Sequence, residues 1–285
     1  MYVVATPIGN PGDISARAIR TLEEVSLIAC EDTRRTGQML ARHQIHTPTV
    51  SHFEHNEERR VPELIERLKA GEKIALVTDA GTPAISDPGF RLVRAAWEAN
   101  VRVMAVPGAS AAIAALSIAA IPTDRFTFEG FVPARGAARR SRLAELRREP
   151  RTMVFYEAAR RLADTLAEMA TALGESRDAA VVSEITKTYE ATVRGTLAEL
   201  ERRFRATPAL GEITIIVAGA PDTSSIAGAD AGSVTVDVGE ALEVLRQAGL
   251  GLKQASAVIA RLTGSGRREV YQNALKQRSD DSSDD

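Results

Sequence analysis

The chain has 285 residues, a formal net charge of −2, 44% hydrophobic residues and a single cysteine. One cysteine excludes an internal disulfide, and no apolar run approaches the roughly 20 residues of a membrane-spanning helix. The N-terminus shows neither a basic segment nor a cleavage pattern, so a cytoplasmic protein with no membrane association is expected, long enough for two domains and an appendage.

Tyr2 to Ala5 read as a strand, followed by the turn-forming run Thr6 to Asp13. An amphipathic helix is expected over about residues 14–25, with Asp13 as its N-cap. A second strand at 26–30 ends in Glu31-Asp32-Thr33-Arg34, and the apolar neighbours of Cys30 predict a buried, inert thiol. Glu31 and Asp32 have two readings at this point: a proton acceptor at a strand end, or a helix N-cap with a surface ion pair.

All four histidines, His43, His46, His52 and His55, fall within a short stretch. Their spacing invites a metal site, but Pro48 and an expected strand at 47–51 separate the two pairs and no cysteine joins them, so no metal is expected.

Residues 73–79 predict a buried strand that runs into Ala80-Gly81-Thr82-Pro83 and Ser86-Asp87-Pro88-Gly89. In an open α/β sheet the ligand crevice lies beyond the carboxyl ends of the strands, so this loop falls where a ligand binds. The alternative is an ordinary strand-to-helix turn. A strand at 101–106 precedes an Ala-rich helix, and Ile121-Pro122-Thr123 reads as a linker between two α/β halves. Neither a G-x-G-x-x-G pattern nor a Walker A motif occurs, which argues for a ligand without a pyrophosphate.

The second half predicts strands near 125–131, 151–157, 178–185 and 212–219, with helices near 136–148, 158–172 and 196–205. Arg135, Arg139, Arg140 and Arg142 crowd one short region. They read as phosphate contacts or as a solvated helix face, with Leu143 and Leu146 turned inward. Without Asp280, Asp281, Asp284 and Asp285 of the tail the net charge is +2. Lys187 at a strand end reads as a proton acceptor, if desolvated, or as a phosphate or substrate holder, the role we favour. Phe155 is expected in the core and Tyr156 against a ligand.

The segments TPIGNPGDIS (6–15), ACEDTRRTG (29–37), SHFEHNE (51–57), VTDAGTPAISDPG (77–89) and VPGASAAIAAL (106–116) follow one another in order. DRFTFEGFVPA (124–134), PRTMVFYEAARRL (150–162), LGESRDAAVVSEITKTYE (173–190) and GEITIIVAG (211–219) continue the series. Together they resemble the ribosomal RNA small-subunit methyltransferase I family of the tetrapyrrole methylase superfamily, over residues 1–220 and more weakly through the tail.

The resemblance implies an α/β, two-domain tetrapyrrole-methylase-like fold with the cofactor cleft between the domains, plus a small C-terminal helical appendage. The expected boundaries are 1–120 and 121–221 for the two α/β domains, 222–235 for a linker, 236–278 for the appendage and 279–285 for a disordered acidic tail. It implies S-adenosylmethionine as cofactor, held by Pro7, Gly9, Asn10, Asp79, Gly81, Thr82, Ile85, Asp87, Ser110, Ala111 and Tyr156. Ala109 stands where proline is expected in much of that family.

The implied reaction is 2′-O-methylation of a cytidine ribose in small-subunit ribosomal RNA, with the RNA in the assembled subunit and the enzyme a homodimer. Glu31, Asp32 and Lys187 are the catalytic candidates. Arg34, His55, Asn56 and the arginines 135, 139, 140 and 142 are the substrate candidates. A tetrapyrrole C-methylase and a non-catalytic RNA-binding protein are the rival readings. Unlike them, the accepted reading accounts for the EDTR and SHFEHNE segments together with intact cofactor loops.

Overall fold

The computed structural model describes residues 1–134 and 136–221, and in the C-terminal part residues 241, 244–245, 249–263, 266 and 270–272. The chain divides into two compact units, Met1–Pro221 and Asp222–Asp285.

The first unit holds two five-stranded sheets. The first is built from β1 (Tyr2–Val4), β2 (Leu27–Cys30), β3 (Thr49–Ser51), β4 (Ile74–Leu76) and β5 (Met104–Val106), in the order β3-β2-β4-β1-β5. Every pairing in it is parallel. Parallel strands need crossovers, and helices α1 (Ala16–Glu24), α2 (Thr33–Arg42), α3 (Glu57–Lys69) and α4 (Phe90–Glu98) supply them. The central strands β2 and β4 are buried throughout, because helices cover both faces of the sheet. One face packs Val4, Leu22, Ile28 and Val77; the other packs Leu27, Leu64, Leu76 and Leu92.

The second sheet runs β6 (Phe126–Phe131), β7 (Thr152–Ala158), β10 (Glu212–Val217), β8 (Asp178–Ser183) and β9 (Ala191–Thr196). Only β6 and β7 are parallel within this sheet; the other pairs run antiparallel. Helices α6 (Gly136–Glu145), α7 (Leu162–Leu173) and α8 (Leu197–Ala206) belong to this half. Phe155, Leu166, Met169, Val181 and Ile215 form its largest core. The opposite face is covered by α5 (Ala111–Ile118), whose Ala112, Ala115 and Leu116 pack on Val154, Val182 and Ile216. Small side chains let that helix lie close to the strands. The Ala-rich helix that follows the first sheet in sequence is therefore a layer of the second.

Three expectations change. The N-cap of α1 is Ser15, whose hydroxyl accepts from Ala18 N–H; Asp13 instead ends a short 3-10 turn. The strand expected through residue 185 stops at Ser183, since Glu184 and Thr186 take positive φ values of 51° and 63°. The edge strand β9 went unread because its exposed Ala-Thr-Val-Arg-Gly-Thr sequence lacks an apolar face.

In the second unit a helix spans Leu252–Thr263, with Ala255, Ser256 and Ile259 buried and Val270 in the same cluster. The linker expected at 222–235, most of the first part of the expected appendage (236–248), the acidic tail and Arg135 lie outside the described residues.

Candidate active site

The carboxyl ends of the first sheet's strands face the second sheet across a cleft of about 430 Å³, within the roughly 300–1,000 Å³ range of small-molecule sites. Ile8 follows β1, Glu31 follows β2, and the loop from Asp79 to Asp87 follows β4. Ser110 and Ala111 open α5, while Phe131, Tyr156, Glu157, Ile185 and Gly211–Thr214 line the other wall. Of the residues expected around a ligand, Asp79, Gly81, Thr82, Ile85, Asp87, Ser110, Ala111 and Tyr156 all meet here, together with Glu31.

The loops are fastened to one another. Thr6 N–H donates to Gly81 carbonyl at 2.9 Å and Gly81 N–H returns a bond to Thr6 at 3.1 Å, so the first and fourth strand ends move as one. Gly81 sits at φ +89°, and a Cβ there would meet Ile8 Cγ2 at 3.3 Å. Glycine serves both the backbone conformation and the close approach. Thr82 Oγ1 donates to the Ala109 carbonyl, and the Tyr156 hydroxyl accepts from Ala112 N–H in the first turn of α5 at 3.2 Å. Phe128 and Phe131 both stand edge-on to the Tyr156 ring, leaving Phe131 56% exposed at the rim.

Carboxylates dominate the floor. Glu31 accepts from the Thr78 hydroxyl at 3.0 Å. Asp79 accepts from Asp32 N–H at 3.1 Å and from Arg35 at 3.2 Å. Burial, reinforced by the negative charge of Glu31, pushes Asp87 up to about 6.

Several expected site residues are placed elsewhere. Asp32 is the N-cap of α2, accepting from the N–H groups of Arg34 and Arg35. The hydrogen bond from the Arg34 side chain, helped by that backbone bond, holds its carboxyl down at about 2, which makes it a poor base. The N-cap reading is the one that holds, and Arg34 is committed to Asp32 through a two-pronged contact.

Lys187 is paired with Glu184 at 3.0 Å and Glu212 at 3.5 Å and is not among the residues lining the cleft. Desolvation alone would lower its pKa, but the two carboxylates outweigh it and raise the value, so Lys187 is an ammonium and not a proton acceptor. Its aliphatic stem fills the space beside Gly9, where a Cβ would lie 2.6 Å from Lys187 Cγ. Asn10 N–H donates to Thr186 Oγ1 at 3.0 Å. The Gly9-Asn10 turn thus packs the first half against the second, and neither residue, nor Pro7, lines the cleft.

Asn56 spends its amide on its own turn, accepting from Phe53 N–H and donating to the Ser51 carbonyl. His55 is exposed next to it. Among the described residues no group of histidine, cysteine or acidic side chains is arranged to hold a metal ion.

The arginine run also divides. Arg139 is buried, bonded to Glu168 at 2.7 and 3.0 Å and to Thr165 at 3.0 Å, so it belongs to the packing of α6 on α7. Arg142 is held between Glu129 and Glu145, and Arg140 is exposed. Arg35, Ile8, Phe131, Glu157 and Gly211–Thr214 had no sequence signal of their own as cleft residues. Only Gly211 carried a trace, as the glycine opening a strand: a Cβ there would collide with the Glu184 carboxylate.

Residues 1–201 match the Tetrapyrrole (Corrin/Porphyrin) Methylases family, and residues 233–278 match the RsmI C-terminal HTH domain. Among solved structures, the fold is similar to a cobalt precorrin-4 methyltransferase at TM-score 0.56 and 20% identity, covering 76% of this chain and 93% of that one. It is also similar to a uroporphyrin-III C-methyltransferase from Thermus thermophilus complexed with S-adenosylhomocysteine, at TM-score 0.52 and 20% identity, covering 76% and 96%. The fold is thus that of a tetrapyrrole methylase.

Closer similarity is to the ribosomal RNA small subunit methyltransferase I of Xylella fastidiosa (Temecula1), 46% identical over 95% of this chain and 97% of the relative. The protein of that name from Pseudomonas aeruginosa is 46% identical over 97% of both. The chain belongs to the ribosomal RNA small subunit methyltransferase I family.

Proposed function

We infer that this protein transfers a methyl group from S-adenosylmethionine to the ribose 2′-hydroxyl of a cytidine in small-subunit ribosomal RNA. The observation that carries the reading is the cleft itself, in a chain so close to rRNA methyltransferases over its whole length: a glycine-lined approach and carboxylate floor inside, with Phe131 and Arg35 at the rim.

The residues present fit the cofactor. Gly81 leaves open backbone where a side chain would close the approach, Ile8, Ile85 and Tyr156 offer apolar surface, and the acidic floor favours a sulfonium cation. When bound, the cofactor supplies an activated methyl group whose leaving group is a neutral thioether. The work left to the protein is alignment and exclusion of water. Phe131 is an exposed aromatic ring of the residue type on which splayed RNA bases stack, and Arg35 a guanidinium suited to phosphate. The helix Leu252–Thr263 lies in the segment matching a helix-turn-helix family, which suits an RNA-contacting appendage.

The substrate is the assembled small subunit, and by analogy with the superfamily the enzyme works as a cytoplasmic homodimer. Transfer of tritium from labelled S-adenosylmethionine to small subunits from cells lacking this gene tests the reading. Label recovered in 2′-O-methylcytidine is the expected result. Label in a base, or incorporation only into a tetrapyrrole, overturns it. Free 16S RNA run in parallel, and light scattering of the enzyme, test the subunit and dimer statements.

A further inference from the structure

The hairpin of β8 and β9 closes at the cleft end of the second sheet. The last pair of these strands is Ser183 with Ala191, so residues 184–190 form the connecting loop. Ser183 also pairs with Ile213 of β10, and both Ile213 and Ile185 line the cleft. Tyr189 stands on this loop and is 82% exposed, more than any other large hydrophobic side chain among the described residues. It meets no other aromatic ring there.

A single exposed aromatic residue is ordinary on a loose loop. This loop is fastened at every step. Lys187 N–H donates to the Glu184 carbonyl at 2.9 Å and Glu190 N–H to the Lys187 carbonyl at 3.1 Å. The Glu190 carboxylate accepts from Thr186 N–H at 2.6 Å. Lys187 Nζ reaches both Glu184 and Glu212, and Asn10 N–H donates to Thr186 Oγ1 from the far side of the cleft. Glu184 and Thr186 take φ values of 51° and 63°, a conformation that residues other than glycine keep only where their surroundings impose it. The Tyr189 ring is thus carried in solvent on a braced support, four positions from a cleft residue.

The surroundings select what that ring can hold. Phe131 and Ile85, 56% and 48% exposed, line the cleft, and Leu210, 78% exposed, precedes Gly211, against which the Glu184 side chain packs. The mouth is therefore apolar. The floor carries Glu31, Asp79 and Asp87, which repel a phosphate backbone from the interior and leave a nucleoside as the part of an RNA that enters. The loop offers phosphate nothing either, because Lys187 is bonded to two carboxylates and Glu190 flanks the tyrosine. An uncharged, flat, exposed ring in that setting suits the face of a nucleobase.

We propose that Tyr189 stacks on an unpaired base of the substrate RNA beside the nucleotide held in the cleft, and that the 184–190 loop is braced to hold its ring there. This rests on the ribosomal RNA methylation reading above. A nucleotide whose sugar enters the cleft leaves its stack and exposes a neighbouring base. The tyrosine ring replaces the lost stacking partner, and a ring already fixed on its loop gives up little freedom in doing so. Tyr189 contributes to RNA binding and takes no part in the chemical step.

The test is single-turnover methyl transfer to small subunits lacking the modification, at varied enzyme concentration, for the wild type, Tyr189→Ala, Tyr189→Phe and Tyr189→Trp. Tyr189→Ala raises the half-saturating enzyme concentration by about 10-fold, the loss of one base–aromatic stack, and leaves the limiting rate near that of the wild type. Tyr189→Phe and Tyr189→Trp keep the wild-type value, because each keeps a flat ring. The salt dependence of binding is the same in all four, since no charge is removed. S-adenosylhomocysteine affinity by calorimetry is unchanged, as Tyr189 is not a cleft-lining residue. Ultraviolet irradiation of the wild-type complex cross-links the enzyme to 16S RNA next to the methylated nucleotide, and the cross-link is lost in Tyr189→Ala.

Wild-type half-saturation in Tyr189→Ala overturns the proposal. So does a Tyr189→Phe as weak as Tyr189→Ala, which would assign the contact to the hydroxyl. A cross-link to a ribosomal protein, or a Tyr189→Ala enzyme that changes its oligomeric state in light scattering, overturns it in favour of a protein contact. Failure of the underlying reading is seen separately, in the wild type alone, as label in a base or only in a tetrapyrrole.

Discussion

Glu57 accepts a hydrogen bond from the backbone N–H of Gly89 at 2.8 Å, tying the first turn of α3 to the residue that ends the cleft loop and caps α4. Both residues are buried, and Glu57 Oε1 also stands 3.3 Å from Nε2 of the buried His52. Gly89 sits at φ +123° against Leu76, so the loop's exit is fixed by backbone conformation and by a carboxylate together. Glu57→Ala strips the acceptor from a buried N–H and removes the carboxylate that stands 3.3 Å from His52 Nε2. We expect a loss of about 2–3 kcal/mol in stability, read by chemical denaturation, and weaker S-adenosylhomocysteine binding. Glu57→Gln, which keeps an acceptor, should recover part of both.

His52 gives the fold an acid sensitivity. Burial lowers its pKa more strongly than Glu57 raises it, so the folded protein holds this imidazole neutral. Below the unfolded value of about 6.5 the unfolded chain binds a proton that the folded chain refuses, and stability falls as pH falls. The melting temperature should therefore drop as pH falls below about 6.5, and His52→Gln should flatten that slope.

Asp87 acts in the opposite sense. Its folded pKa lies above the unfolded carboxylate value, so ionising it as pH rises through about 6 costs the folded state free energy. Asp87→Asn is expected to stabilise the protein by about 1 kcal/mol at pH 7.5, after allowance for screening of a half-exposed group. Thermal melts at pH 7.5 and pH 4, with the gain absent at the lower pH, would check this.

Gly81→Val tests the approach to the cleft. The valine Cβ would sit 3.3 Å from Ile8 and 3.8 Å from the Ala109 carbonyl, on a backbone that β-branched residues avoid. S-adenosylhomocysteine affinity measured by calorimetry should fall by at least about tenfold, with circular dichroism still reporting a folded protein.

Two neighbouring arginines on α6 should separate by role. Arg139→Gln breaks a buried, doubly bonded pair with Glu168 and is expected to cost about 3 kcal/mol of stability. Arg140→Gln touches an exposed side chain, leaves stability unchanged and should reduce both RNA affinity and its salt dependence. Urea titration and binding at two salt concentrations distinguish the cases.

Local sequence was enough to mark the parallel strands of the first sheet, because short apolar runs ending in turn residues have few other uses, and the loop after β4 as a ligand-facing one. It was also enough, through ordered motifs along 1–220, to indicate the family. What tertiary structure decided was which side chains meet. Asp32 and Glu31 are adjacent in sequence, yet one caps a helix beside two arginines and the other faces Thr78 and Asp87, 47 and 56 positions further along. Arg139 and Arg140 look alike in a charge run, but helical rotation buries one against Glu168 and exposes the other. The acid–base character of Asp87 comes from burial and from Glu31, neither of which the composition of its loop reveals, since desolvation and charge proximity are properties of the folded chain alone.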